Sequence, residues 1–199
     1  MNALPKLYMN ATSPYARKVR VAIVENGLSD VIEMVRIDPW ADPPDFHAVA
    51  PVGKVPALVL LNGTTLVEST AICEFLEESG KGSELAGSDR WDVMTRSGLA
   101  NGMIDAAFAA TLEGRRPAEV QWKDWTARQE RAIRRVLSAA EVPPSGRFDL
   151  GDIALAVGLD YLSFRVPLID WRSERPDLAV WSDRMGQRES MRQSDPRLG

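Results

Sequence analysis

Apolar positions in the first eighty residues switch between two periods. Leu4–Met9 ("LPKLYM") is a short strand candidate, and from Pro14 to Gly27 apolar side chains recur at helical spacing through Tyr15, Val19, Ala22 and Ile23. Gly27 is the stop signal of that helix. Val31–Ile37 ("VIEMVRI") alternates and is rich in β-branched residues, which predicts a second strand. A Pro-rich connection with a short helix at Asp45–Val49 follows, then two apolar runs around Asn62-Gly63, the signature of a hairpin. Ser69 to Ser79 resumes the helical period through Ile72, Phe75 and Leu76. The predicted order is β-α-β-α-β-β-α, one parallel crossover followed by a hairpin, with helices to cover the sheet.

Polar, Gly-containing residues 81–87 read as a linker, and everything after them is helical in period. Trp91–Leu112 and Trp122–Ala140 are long amphipathic candidates. "DLGDIALAVGLDYLSF" is almost continuously apolar, as a buried central helix would be, and a further helix is entered through Pro176. The expected organisation is an α+β domain over residues 1–80 and an all-α domain over residues 88–199.

Composition narrows the chemistry. A net charge of −4 on 199 residues gives no electrostatic reason to expect nucleic acid or an anionic membrane. No apolar run reaches the length of a membrane span, and "MNALPKLYMNATSPY" lacks the pattern of a secretory signal. The single cysteine, Cys73, forms no internal disulfide; it falls at an apolar-period position and reads as a buried packing thiol. One histidine, His47, is too few for a zinc site, and no G-x-S-x-G elbow accompanies it for a hydrolytic triad. The expectation is a metal-free cytoplasmic protein.

Three stretches carry candidate chemistry. In "NATSPYARKV", two hydroxyls, Thr12 and Ser13, stand at the start of a helix, where either can cap it or donate to an anion. In "GKVPAL", Pro56 marks a strand entry; a cis Val55–Pro56 bond would free the Val55 N–H and C=O for a ligand, whereas a trans bond makes an ordinary turn. In "LVESTAI", Ser69 reads as a helix N-cap with Glu68 just outside it, a pair able to grip the ammonium and carboxylate of an α-amino-acid end.

A strand, the "SPYARKV" helix, "GKVPAL", "VES" with "AI" two residues on, then an all-helical domain: the whole chain resembles a cytosolic glutathione S-transferase, the motif pair "GKVPAL" and "VES" most specifically. The resemblance implies a thioredoxin-like first domain that binds glutathione, a homodimer, and a detoxifying transferase reaction. It implies that Pro56 is cis, that the Val55 backbone pairs with the cysteinyl part of glutathione, and that Lys54 faces the glycyl carboxylate. It gives Glu68 and Ser69 the γ-glutamyl end and sets Ser13 against the sulfur, ahead of Thr12 and of Tyr8. Met103, Ala107 and Phe108 would line an apolar electrophile pocket, with Asp105 able to reach across a dimer interface. "DLGDIAL" matches the family's helix-capping motif through Asp149 and Asp152. Two positions depart from the family pattern. The C-x-x-C slot reads Ser13-Pro14-Tyr15-Ala16, so mixed-disulfide chemistry has no protein thiolate, and Ala50 stands where asparagine is common.

The chemistry is coherent on its own terms. A free thiol has a pKa of about 8.5, and a hydroxyl donor at the positive end of a helix would lower it and stabilise the nucleophilic thiolate. Attack of that thiolate on a small, apolar electrophile makes the protein a glutathione transferase. The alternatives are a glutathione-binding protein with little turnover and a glutathione-dependent isomerase or dehalogenase. The remaining residues have plainer expectations: Arg17, Lys18 and Arg20 a solvated helix face, His47 a surface or ligand-rim position, and Trp91, Trp122, Trp125, Trp171 and Trp181 core.

Overall fold

The computed structural model describes residues 4–80 and 85–198, so four of the seven expected linker positions, 81–84, lie outside the described residues. The chain forms two compact units, Met1–Ala86 together with Glu189–Gly199, and Gly87–Arg188.

The first unit runs β1 (Lys6–Met9), α1 (Pro14–Glu25), β2 (Glu33–Arg36), α2 (Pro44–Val49), β3 (Ala57–Val59), β4 (Thr65–Val67) and α3 (Ser69–Ser79). This is the predicted order and a thioredoxin-like arrangement. The sheet order is β2-β1-β3-β4. β1 is parallel to β2, β3 is antiparallel to β1, and β4 is antiparallel to β3. Both outer parts of the sheet follow from their connections: the parallel pair needs the α1 crossover, and the Asn62-Gly63 turn returns β3 into β4. β1 is shorter than its apolar run because Pro5 has no N–H to give the ladder; it contributes only its carbonyl, to Glu33 N at 2.8 Å. Leu7, Leu58, Val19, Ile23, Ile72 and Leu76 are fully or almost fully buried, so the inner faces of the strands, α1 and α3 make the core.

Helix α1 ends where Gly27 takes φ 66°, and Leu28 N then reaches back to Ile23 O at 2.9 Å, a Schellman closure that glycine makes without strain. Its basic residues depart from the expected solvated face. Arg17 and Lys18 are buried, at 5% and 3% exposure. For Arg17 the reason is the end of the chain: helix α9 (Glu189–Gln193) belongs to this unit and packs on α1. Arg17 Nη2 donates to Met191 O (3.2 Å), and Arg20 donates to Gln193 O (2.9 Å) and Ser194 O (3.3 Å). Two guanidinium groups thus meet the carbonyl end of a helix, the end that attracts cations.

The second unit contains α4 (Arg90–Glu113), α5 (Lys123–Ala139), α6 (Leu150–Arg165), α7 (Trp171–Glu174) and α8 (Pro176–Gly186). As its all-round apolar sequence predicts, α6 is buried continuously from Leu150 to Leu159. Gly158 lets α4 approach: a Cβ there would lie 2.7 Å from Met103 Cε. Asp149 caps α6 through Asp152 N (3.1 Å), and Asp152 returns a bond to Asp149 N, a complete capping box. Trp171 and Trp181 are core, but Trp91 and Trp122 are 77% and 61% exposed, contrary to expectation. Trp91 sits in the first turn of α4, off the face that carries Val93, Ala100 and Ile104. Trp122 stands at the N-cap of α5 and stacks on half-buried Trp125 at 5.9 Å.

Candidate functional site

Strand register collects the candidate residues of the first unit. Met9 pairs with Arg36, Tyr8 with Ala57, and Ala57 with Val67. The C-terminal ends of β1, β2 and β4 therefore lie with the N-terminal end of β3 at one end of the sheet. The segments that leave the sheet there are 10–13, 37–38, 55–56 and 68–69. Residues far apart in sequence, Ser13, Val55, Pro56, Glu68 and Ser69, thus emerge from the same sheet end.

Ser13 is the N-cap of α1, with extended backbone (φ −75°, ψ 122°) and Pro14 in the first helical position. Its Oγ accepts from Ala16 N at 3.2 Å, and its N–H donates to Asn10 O at 3.2 Å. No described residue accepts the Ser13 hydroxyl proton. Thr12 differs: its hydroxyl donates to Asn10 Oδ1 (2.9 Å), as does its N–H (3.0 Å). Asn10 also donates through Nδ2 to Ile37 O (3.2 Å), tying the β1 loop to the end of β2. Sequence reasoning passed over Asn10; an Asn three residues before a cap is a turn signal that could have marked it.

The Val55–Pro56 peptide is cis. Pro56 is buried and Val55 half-buried, packed against the cluster of Phe46, Ala50 and Ala57. Among the described residues, no hydrogen bond engages the Val55 N–H or C=O. Tyr8 places its ring 5.5 Å from that of Phe46 in the same cluster. Lys54 is exposed beside it, and His47 Nε2 lies 3.0 Å from Asp42 Oδ1.

At the start of α3 the expected roles of Glu68 and Ser69 are exchanged. Glu68 is itself the N-cap: its Oε2 accepts from Thr70 N (2.9 Å) and Ala71 N (3.2 Å). Ser69 is the first helical residue, 2% exposed, and its Oγ donates to Glu68 Oε1 at 3.3 Å. Glu68 adopts φ 74°, a left-handed conformation that costs a residue with a side chain roughly 1–3 kcal/mol and collects at functional sites. That conformation swings the carboxylate back over the helix end, which a reading of the sequence as a capping serine cannot anticipate.

In the second unit, Met103 and Ala107 have no exposure, and Met103 Cε is packed at Gly158. Met103 packs in the core of the helical unit; Phe108 is half-buried and Asp105 exposed. Cys73 is buried, and loss of hydration, the largest influence, pushes its thiol up to about 12 despite the nearby Lys18 charge. Among the described residues no cluster of His, Cys, Asp and Glu can hold a metal ion, and no helix is long and apolar enough to cross a membrane.

One end of the sheet thus carries a capped helix, a cis-proline and a Glu-Ser turn within a thioredoxin-like fold. Residues 12–79 match the family model of the glutathione S-transferase N-terminal domain. A glutathione transferase family member from Pseudomonas fluorescens Pf-5, solved with bound glutathione, superposes with a TM-score of 0.91 at 34% identity, over 96% of this chain and 98% of that one. A glutathione S-transferase from Methylobacterium radiotolerans, in complex with glutathione sulfonate, gives 0.88 at 34% identity, over 98% and 95%. The uncharacterized GST-like protein YibF of Escherichia coli K12 is 29% identical over 96% of this chain and 98% of its own. The chain belongs to the glutathione S-transferase family.

Proposed function

We propose that the protein is a glutathione transferase in which the Ser13 hydroxyl stabilises the thiolate of bound glutathione for attack on a small, apolar electrophile. The observation that carries this reading is the division of labour at the start of α1: the Ser13 oxygen caps the helix through Ala16 N, and its proton has no acceptor among the described residues. A sulfur arriving there meets a donor at the positive end of a 12-residue helix. The idle Val55 N–H and C=O would form the short ladder to the cysteinyl residue, Ser69 and Glu68 would take the γ-glutamyl end, and Lys54 the glycyl carboxylate. Proton loss from the bound thiol to solvent leaves an anion whose electron pair forms the new C–S bond as the electrophile's bond to its leaving group, which departs with that electron pair, breaks; Ser13 donates a hydrogen bond and is not consumed. Support for glutathione as the ligand comes from the relatives that hold it or its derivatives. Family membership likewise favours a homodimer, which sedimentation can test.

The deciding measurement is the ultraviolet absorbance of enzyme-bound glutathione thiolate against pH, in wild type and Ser13→Ala. One charge-assisted hydrogen bond, about 1.5–3 kcal/mol, lowers the thiol pKa by about one or two units from its free value near 8.5, and Ser13→Ala returns most of that shift. Tight binding with an unshifted thiol in wild type would sink the transferase reading and leave a glutathione-binding protein.

A further inference from the structure

Of the two adjacent hydroxyls at the site, only one retains its proton for a ligand, and a third residue decides which. Asn10 Oδ1 accepts both the N–H and the hydroxyl proton of Thr12, at 3.0 and 2.9 Å. The Asn10 backbone carbonyl accepts the Ser13 N–H at 3.2 Å. Its Nδ2 is anchored on Ile37 O at 3.2 Å, so the acceptor is held by the end of a neighbouring strand. Three of the four polar protons of the Thr12–Ser13 pair are thereby taken by one residue. The fourth, on Ser13 Oγ, belongs to an oxygen that already accepts from Ala16 N.

We infer that Asn10 is a positioning residue: it withdraws Thr12 from the sulfur and holds Ser13 as the sole hydroxyl donor to the glutathione thiolate. The inference rests on the proposed role of Ser13 and adds to it the residue that confers it. Thr and Ser have equivalent hydroxyls, so the choice between them comes from their partners, not from their own chemistry. Without the Asn10 side chain the loop keeps, of its ties to Ile37, only the Ile37 N–H bond to Met9 O, and the Thr12 hydroxyl is released to compete for the same anion or for the helix end.

The test uses the full-length protein, glutathione as probe, and two readouts: the pKa of the bound thiol, and the affinity below that pKa, where the thiol is neutral. Asn10→Ala is expected to raise the bound-thiol pKa by about half a unit to one unit while affinity for the neutral form changes less than about threefold, because a misaligned donor weakens only the charged form. Thr12→Val, which leaves the Ile37 tether intact, is expected to leave the thiol pKa where it is. The double variant Asn10→Ala/Ser13→Ala should titrate like Ser13→Ala alone, since Asn10 acts through Ser13. Additive shifts, an unmoved pKa in Asn10→Ala, or a Thr12→Val shift as large as that of Ser13→Ala each overturn the role of Asn10. If Ser13→Ala itself moves nothing, the reading of Ser13 falls and this one with it; if Ser13→Ala moves the pKa and Asn10→Ala does not, only Asn10 is dismissed. Should Asn10→Ala fail to fold, the Thr12→Val result decides alone.

Discussion

Removing the Asp149 side chain is expected to destabilise the helical unit by an amount the surrounding geometry sets. Asp149 Oδ1 caps α6 by accepting from Asp152 N, and its two oxygens take a bidentate pair from Arg96 at 3.0 and 2.7 Å. Loss of such a cap costs about 1 kcal/mol, and hydrogen bonds to a charged group about 1.5–3 kcal/mol. The full penalty for stranding a buried charge, about 3–5 kcal/mol, does not apply. Arg96 keeps Asp92 (2.8 Å) and Asp152 (3.1 Å), and Arg147 keeps Asp152 (3.0 Å), so two cations still face two carboxylates. Asp149→Ala should therefore cost about 2–4 kcal/mol. Asp149→Asn keeps an equally good cap and should cost about 1 kcal/mol less. Urea unfolding followed by tryptophan fluorescence reads this unit, because Trp171 and Trp181 are buried in it. A midpoint shift without a change in slope is the signature of lost stability. An Asp149→Ala cost below about 1 kcal/mol, or equal costs for Ala and Asn, would refute the assignment of cap and ion pair to this one carboxylate.

Two further outcomes follow from buried or doubly used groups. Cys73 is protonated more firmly in the fold than in the open chain, from an ordinary value near 9 to about 12. Its contribution to stability is thus complete below about pH 9 and is lost as pH rises toward 12; by pH 10 about 1.4 kcal/mol is gone. Urea unfolding at pH 8 and pH 10 should show that loss in wild type relative to Cys73→Ala, and parallel pH dependences would dismiss it. At Glu68, Gln can still cap Thr70 N and Ala71 N but carries no charge for an ammonium. Glu68→Gln should keep the unfolding midpoint near wild type and weaken glutathione about tenfold or more by calorimetry, whereas Glu68→Ala loses both. Binding of Glu68→Gln at wild-type strength would remove the carboxylate from ligand recognition.

What the sequence discloses here is what local chemistry dictates. The β-α-β-α-β-β-α order is written in apolar period and in turn residues such as Gly27 and Asn62-Gly63, which act within a few positions of themselves. The capping box of Asp149 and Asp152 is equally local. Arg17 and Arg20 are illegible for the opposite reason: they donate to carbonyls at Met191 to Ser194, more than 170 residues away, and a basic run carries no mark of such a partner. Met103 is hidden by the same kind of fact, the bare surface that Gly158 offers from another helix. Asn10 lies in between, since its bonds to Thr12 are local but its anchor on Ile37 comes from the parallel pairing of β1 with β2.

On the proposed function, helix capping and ligand binding draw on the same polar atoms at this sheet end, and they conflict at one residue and not at the other. A hydroxyl oxygen that accepts an N–H still owns a proton, and accepting polarises the O–H bond toward stronger donation. Ser13 can therefore cap α1 and meet a thiolate at once, and each bond reinforces the other. A carboxylate has only acceptor sites to give. Glu68 has committed Oε2 to two amides and Oε1 to Ser69 Oγ, so an ammonium must share oxygens whose charge the helix end already attracts. The left-handed backbone of Glu68 keeps this sharing on one residue rather than on a separate cap and a separate counter-ion. The proposed function thus couples ligand affinity to α3 stability through Glu68, while at Ser13 the helix cap leaves a proton for the sulfur.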